Sequence, residues 1–166
     1  MWTLEKKAQV YQSDRHVRYN LVSDCTMSKW DDPTTCIKGP NDNDGLWTSM
    51  YLGSQALRYA VTNETIVRQN AWTFFPGLYS LNHVTNIVGY SSCFIVKIGK
   101  FPPTSDWHPL PVSCSLQFKG DTSSGEMVGH QFIYPLVHDF LCDDDVQRAL
   151  ILAVLINQTT HILTHN

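Results

Sequence analysis

Long apolar runs are missing from this sequence, and so are most of the short motifs that announce a chemistry. No stretch of roughly eighteen apolar residues occurs, so no segment reads as a membrane span. The longest candidate, Ala149 to Ile156, is far too short. Basic residues are outnumbered: 12 Lys and Arg face 15 Asp and Glu, for a net charge of -3 and a pI near 6.1. That balance excludes the basic face a nucleic-acid partner requires. The five cysteines (Cys25, Cys36, Cys93, Cys114 and Cys142) contain no CxxC pair and are odd in number, which argues against zinc. No Gly-rich phosphate loop follows a strand, so nucleotide binding has no support. Ser123 and Ser124 do not sit in a GxSxG elbow, which excludes the usual acyl-transfer nucleophile. His161 and His165 stand at i, i+4 without the glutamate of HExxH. Met1 to Lys7 carry no apolar h-region of the kind a signal peptide needs.

What is present is a globular composition. Hydrophobic residues make up 43% of 166, enough to bury the core of one domain. Cys25 with Cys36, and Cys93 with Cys114, are pairs that a secreted context would oxidise, but five free and mostly buried thiols are the expectation. Two sequons, Asn63-Glu64-Thr65 and Asn157-Gln158-Thr159, are compatible with secretion. They favour an extracellular over a cytoplasmic location.

Along the chain, residues 1–40 show no sustained period and read as an irregular N-terminal segment. A short strand fits the loose alternation between Arg15 and Cys25. From 41 to 166 the pattern is helical. Leu46, Met50, Leu57 and Ala60 recur at three- and four-residue spacing, and Arg58 is the one charge between Gly45 and Val61. A helix so poor in charge is expected to be buried on most sides. Asn63 reads as the N-cap of a second helix, running through Ile66, Phe74 and Leu81 to about Val88, with Gly89 as its stop and Pro76 as a kink. Residues 90–120, rich in proline, read as a long loop. A third helix starts near Ser123, where Ser123-x-x-Glu126 fits a capping box. Pro135 is a second expected kink. Asp143-Asp144-Asp145 opens a fourth helix ending near Leu163. The predicted fold class is therefore all-α: αα-hairpins at about 45–88 and 123–163, stacked side by side. Two hairpins leave apolar faces uncovered, so the expected partners are the remaining hairpins of a larger parent protein.

Stacking in register places two acid-rich helix junctions, Asn41 to Gly45 and Lys119 to Glu126, on one rim. Asp42 and Asp44 lie near Trp47 and Tyr51, a carboxylate pair beside an aromatic platform. Asp121, Glu126 and His130 form a second cluster, in which Glu126 and His130 share one helix face and supply an acid and a base. The competing reading makes Asp44 a helix cap, Ser123 and Glu126 a capping box, and His130 a core histidine. An EF-hand fails, because its first and twelfth positions would be Pro40 and Tyr51. A calcium ion on a non-EF geometry is the one cofactor these acids leave open, and no metal site is assigned.

The segments Asn41 to Thr48, Leu57 to Thr62 and Lys119 to Ser124, with Gly129-His130, resemble helical-toroid proteins akin to the six-hairpin glycosidase superfamily. The resemblance spans roughly residues 15–163. It implies part of an (α/α) toroid with a carbohydrate-facing rim, and a glycan as ligand. Gly89 to Phe94 departs from the pattern, where a Gly-rich turn followed by Pro and Arg is expected. Two functions follow. In the first, the chain belongs to a glycoside hydrolase or polysaccharide lyase, with Asp42, Asp44, Asp121, Glu126 and His130 catalytic and Trp47 and Tyr51 binding substrate. In the second, it is a non-catalytic helical scaffold or ligand-binding module.

Overall fold

The computed structural model describes residue 3 and residues 17–39, 42–101, 106–110 and 113–165, with the backbone alone of Cys114. Arg15, Pro40 and Asn41, which the sequence reading used, lie outside the described residues. The elements run β1 (Val17–Arg18), β2 (Leu21–Val22), β3 (Asp24–Met27), β4 (Cys36–Gly39), α1 (Asp44–Thr62), α2 (Thr65–Leu81), β5 (Ile95–Lys97), β6 (Trp107–Leu110), β7 (Ser113–Lys119), α3 (Ser124–Phe140) and α4 (Asp145–His165). Among the described residues four α-helices thus stand with three small antiparallel sheets, and the fold is mixed α/β. The all-α toroid expected from the sequence is overturned by these sheets. The reasons are local.

In the N-terminal part, Tyr19 and Asn20 both have positive φ and join β1 to β2 as a two-residue turn of the mirror-image type that matches strand twist. Neither residue is glycine, so the usual hairpin signal is missing. Residues 17–39 are therefore two small hairpins rather than an irregular segment, and the disulfide Cys25–Cys36 links β3 to β4. Cys93 and Cys142 are free, buried thiols. The stretch 90–120 is likewise no loop. β7 is the central strand of a sheet ordered β5-β7-β6, and Pro109 is tolerated because β6 lies at the edge, where a missing N–H breaks no ladder.

The helices form where the three- and four-residue period is strongest. α1 ends at Asn63, which takes the left-handed conformation and donates its N–H to Tyr59 O at 2.8 Å. Asn63 is thus the C-cap of α1 rather than the N-cap of α2. α2 continues through Pro76 but stops at Leu81, short of Val88. Asn82 turns its amide back onto Leu78 O at 3.2 Å, and the chain leaves the helix there. α3 also runs through Pro135 as one element.

α1 is central, packed between α2 and α3, and α4 packs on the far side of α3. α1 and α3 run in the same direction. Gly45 meets Glu126 at one end, and Gly53 lies against Phe132 and Ile133 further along. Their close approach depends on Gly129, where a Cβ would lie 2.9 Å from the Cα of Leu46. The main core joins Leu52, Ala56, Phe74, Leu78, Ile133, Tyr134, Val137 and Ile151 across all four helices. A second cluster, with Leu21, Leu81, Ile95 and Phe118, seats the three-stranded sheet on the helical layer.

Candidate functional site

Because α1 and α3 are parallel and adjacent, their N-terminal junctions meet. Lys119, the last residue of β7, reaches both: its Nζ donates to Asp42 Oδ1 at 2.9 Å and stands 3.0 Å from Asp121 Oδ2. Burial works against that ammonium, but the hydrogen bonds and charges of the two carboxylates outweigh it and raise its pKa. Ser123 Oγ donates to Asn43 Oδ1 at 3.2 Å, a second tie between the junctions.

Beneath this clasp lie two fully buried acids. Asp44, in the first turn of α1, pairs with Arg18 Nη2 at 2.7 Å. Arg18 also donates to Ile95 O, so one guanidinium ties β1 to β5 and α1. Glu126 does something the sequence did not suggest. Ser123 Oγ accepts from Glu126 N at 3.1 Å, which is one half of the expected capping box. The Glu126 carboxyl, however, crosses to the neighbouring helix, where Oε1 accepts from Gly45 N at 3.1 Å. It caps α1, whose own N-cap Asn43 makes no side-chain cap bond. Gly45 is required for this, since a Cβ there would lie 2.0 Å from Glu126 Oε2. Burial pushes the Glu126 carboxyl up to about 8; the backbone N–H bonds from Leu46 and Gly45 oppose that rise, and the charges of Asp44 and Asp42 reinforce it.

His130 is one turn further along α3 and fully buried. Its Nε2 is 2.9 Å from Ser91 Oγ and 3.9 Å from Glu126 Oε2. Ser, His and Glu are thus neighbours, but they do not form a charge-relay triad. In a triad the acid and the hydroxyl lie on opposite ring nitrogens, whereas here both face Nε2. Nδ1 faces Asn82 Nδ2 at 3.2 Å and Tyr134 OH at 3.3 Å. An amide nitrogen only donates, so Nδ1 accepts and Nε2 carries the proton toward Ser91. Asn82 also accepts from Gln158 Nε2, whose Oε1 accepts from Gln131 at 3.2 Å. This chain joins the end of α2 with the loop at 91, α3 and α4. Burial lowers the His130 pKa to about 3, so the ring is neutral. The expected acid–base role of His130 meets a closed environment.

The aromatic candidates separate. Trp47 is about half exposed, while Tyr51 turns into the protein with its ring 4.5 Å from Phe74. Among the described residues no group of three or more His, Cys, Asp or Glu side chains is arranged to hold a metal.

A cleft of about 420 Å³ opens beside the clasp, between the start of α3 and the end of α4. Tyr90, Thr122, Ser123, Ser124, Met127, Val128, His161, Ile162 and His165 line it. The Tyr90 and His161 rings meet edge to face at 5.4 Å, and His161 stacks on His165 at 4.3 Å. The Thr122 hydroxyl is buried without a partner. None of the proposed acids lines this cleft, nor does Trp47 or Tyr51. Sequence reasoning missed it because its walls come from three separate stretches. The i, i+4 spacing of His161 and His165 was the one available signal. Arg18 and Lys119 were missed as well, although the acids they neutralise were all identified.

Comparison of the chain with models of known protein families, with curated proteins and with solved structures finds no match. The carbohydrate and hydrolase expectation rested on the all-α ring, and the mixed fold removes that footing.

Proposed function

We propose that this chain is a non-catalytic ligand-binding module whose ligand occupies the 420 Å³ cleft between α3 and α4. The observation that carries the reading is a division of labour. Asp42 and Asp121 share Lys119, Asp44 is held by Arg18, and Glu126 caps α1. Each acid is committed to holding elements together. The cleft has the volume of a small-molecule site and, among the described residues, no Asp, Glu, Lys or Arg lines it. An ionised ligand would lose hydration there without a counter-charge. Its rings and methyl groups suit a flat, uncharged molecule, and its hydroxyls suit a ligand that also carries a hydrogen-bond acceptor or donor.

A thermal-shift screen with uncharged aromatic and heteroaromatic fragments tests this. Hits are expected to raise the Tm of the parent chain and of the Asp42→Asn and Asp121→Asn variants by similar amounts. In Ile162→Trp, which fills the cleft, the shift is expected to vanish. Binding that survives Ile162→Trp but is lost with Asp121→Asn would move the site to the clasp and overturn the proposal.

A further inference from the structure

The fold treats the two Asn-x-Thr triplets, Asn63-Glu64-Thr65 and Asn157-Gln158-Thr159, in opposite ways. Asn63 and Glu64 are the break between α1 and α2 and belong to neither helix. Asn63 holds its place as the C-cap of α1 through its backbone, whose N–H donates to Tyr59 O at 2.8 Å. Residues 60–66 are all exposed, and Glu64 turns aside to pair with Arg58 at 2.8 Å. Asn157 instead lies inside α4. Its neighbour Gln158 is fully buried and bonded to Asn82 and Gln131. The Thr159 hydroxyl donates to Leu155 O at 2.8 Å. The Asn157 backbone packs on Gly89, where a Cβ would lie 2.2 Å from the Asn157 carbonyl oxygen.

We infer that Asn63, and not Asn157, is the acceptor for an N-linked oligosaccharide. A transferring enzyme must lay the triplet across its own surface with the amide and the hydroxyl both accessible, so acceptor sites belong to surface turns. The break at Asn63 meets that requirement; a helix interior with its middle side chain buried does not. The donor is an oligosaccharide carried on a lipid diphosphate. The Asn63 amide nitrogen bonds to the anomeric carbon, the bond from that carbon to the diphosphate oxygen breaks, the lipid diphosphate leaves with the electron pair, and the amide gives up one proton. The Cys25–Cys36 disulfide supports the same conclusion independently, because such bonds persist in the oxidising secretory compartments where this transfer takes place. Val61 and Ile66, 86% and 59% exposed, flank the turn, and a bulky solubilising group between them shields apolar surface. The 19 residues of α1 set Asn63 about 28 Å along the helix from its start. That start meets the start of α3, where the cleft opens, so the sugar leaves the cleft free.

Peptide mapping by mass spectrometry tests the inference on the full chain passed through the secretory pathway of eukaryotic cells. A glycan that peptide N-glycosidase releases is expected on the Asn63 peptide, with Asn157 bare and Cys25 joined to Cys36. Thr65→Ala is expected to abolish the glycan-dependent mobility shift on gels, and Thr65→Ser to restore it; both leave Asn63 in place as the cap of α1. An Asn63 peptide without sugar would overturn the inference. So would a glycan on Asn157, or a mobility shift indifferent to Thr65→Ala. Cys25 and Cys36 recovered as free thiols would overturn the assignment to an oxidising compartment.

Discussion

Glu126 and His130 sit one helical turn apart, are equally buried, and favour their neutral forms, but they act on stability in opposite pH directions. Burial first, with the nearby Asp44 and Asp42 charges, raises the Glu126 carboxyl from 4.5 to about 8. Its contribution is therefore complete below pH 4.5 and is lost as pH rises through 8. Burial lowers His130 from 6.5 to about 3, so its contribution is complete above 6.5 and is lost as pH falls through 3. The two windows overlap between pH 4.5 and 6.5. Stability is expected to peak there and to fall by a few kcal/mol toward pH 9. Urea unfolding across pH checks this, and Glu126→Gln is expected to flatten the alkaline limb alone. A wild-type chain that gains stability from pH 6 to pH 9 would contradict the assignment. Arg18 makes a second case. Its removal leaves Asp44 charged in a closed interior, and Arg18→Met is expected to cost about 3–5 kcal/mol in urea unfolding. Asp44→Asn in the same background is expected to recover part of that loss. At this scale the sequence was half legible. It named all four acids but assigned no group to neutralise them, because Arg18 reaches Asp44 across 26 positions of chain and Lys119 reaches Asp42 across 77.

Helices were more legible than strands, for a physical reason. The helical period is written within one segment, so Leu46 to Ala60 or Ala149 to Ile156 declares itself without reference to anything distant. The strands are short, and their pairing is set by partners elsewhere. β7 alternates polar and apolar residues from Ser113 to Lys119 but depends on partners far along the chain, and the turn between β1 and β2 uses Tyr19 and Asn20 in place of a glycine. The boundary between α1 and α2 was misread because asparagine serves either end of a helix; its left-handed backbone decided for the C-cap of α1. Two predictions belong to this scale. Gly129→Ala pushes a methyl against the Leu46 backbone, and separating α1 from α3 is expected to lower stability by about 1–3 kcal/mol. An unchanged Tm would mean the two helices are not held at this distance. Cys25→Ser removes the link between β3 and β4 and is expected to cost roughly 2–3 kcal/mol. Amide exchange should show the loss concentrated in residues 24–39, with the α1–α3 core still protected.

Across the whole molecule, the two acid-rich junctions identified from sequence are brought together, and β7 is what joins them. Lys119 delivers one positive charge to Asp42 and Asp121 from the end of a strand where a loop was expected. The sheet that displaces the all-α expectation is thus also the element that gives the junctions their structural role. Of the candidate site, the sequence located the rim and the acids. It did not locate the cleft, which exists only once the loop at Tyr90 and the ends of α3 and α4 are assembled. The proposed division, acids for the fold and the cleft for a ligand, has one most direct test. Amide chemical-shift mapping should follow titration with the best uncharged aromatic fragment. The largest changes are expected at Tyr90, Thr122, Ser124, Val128, Ile162 and His165, with little movement at Asp42, Trp47 and Asp121. Changes centred on Asp42, Trp47 and Asp121, with the cleft residues unmoved, would contradict it.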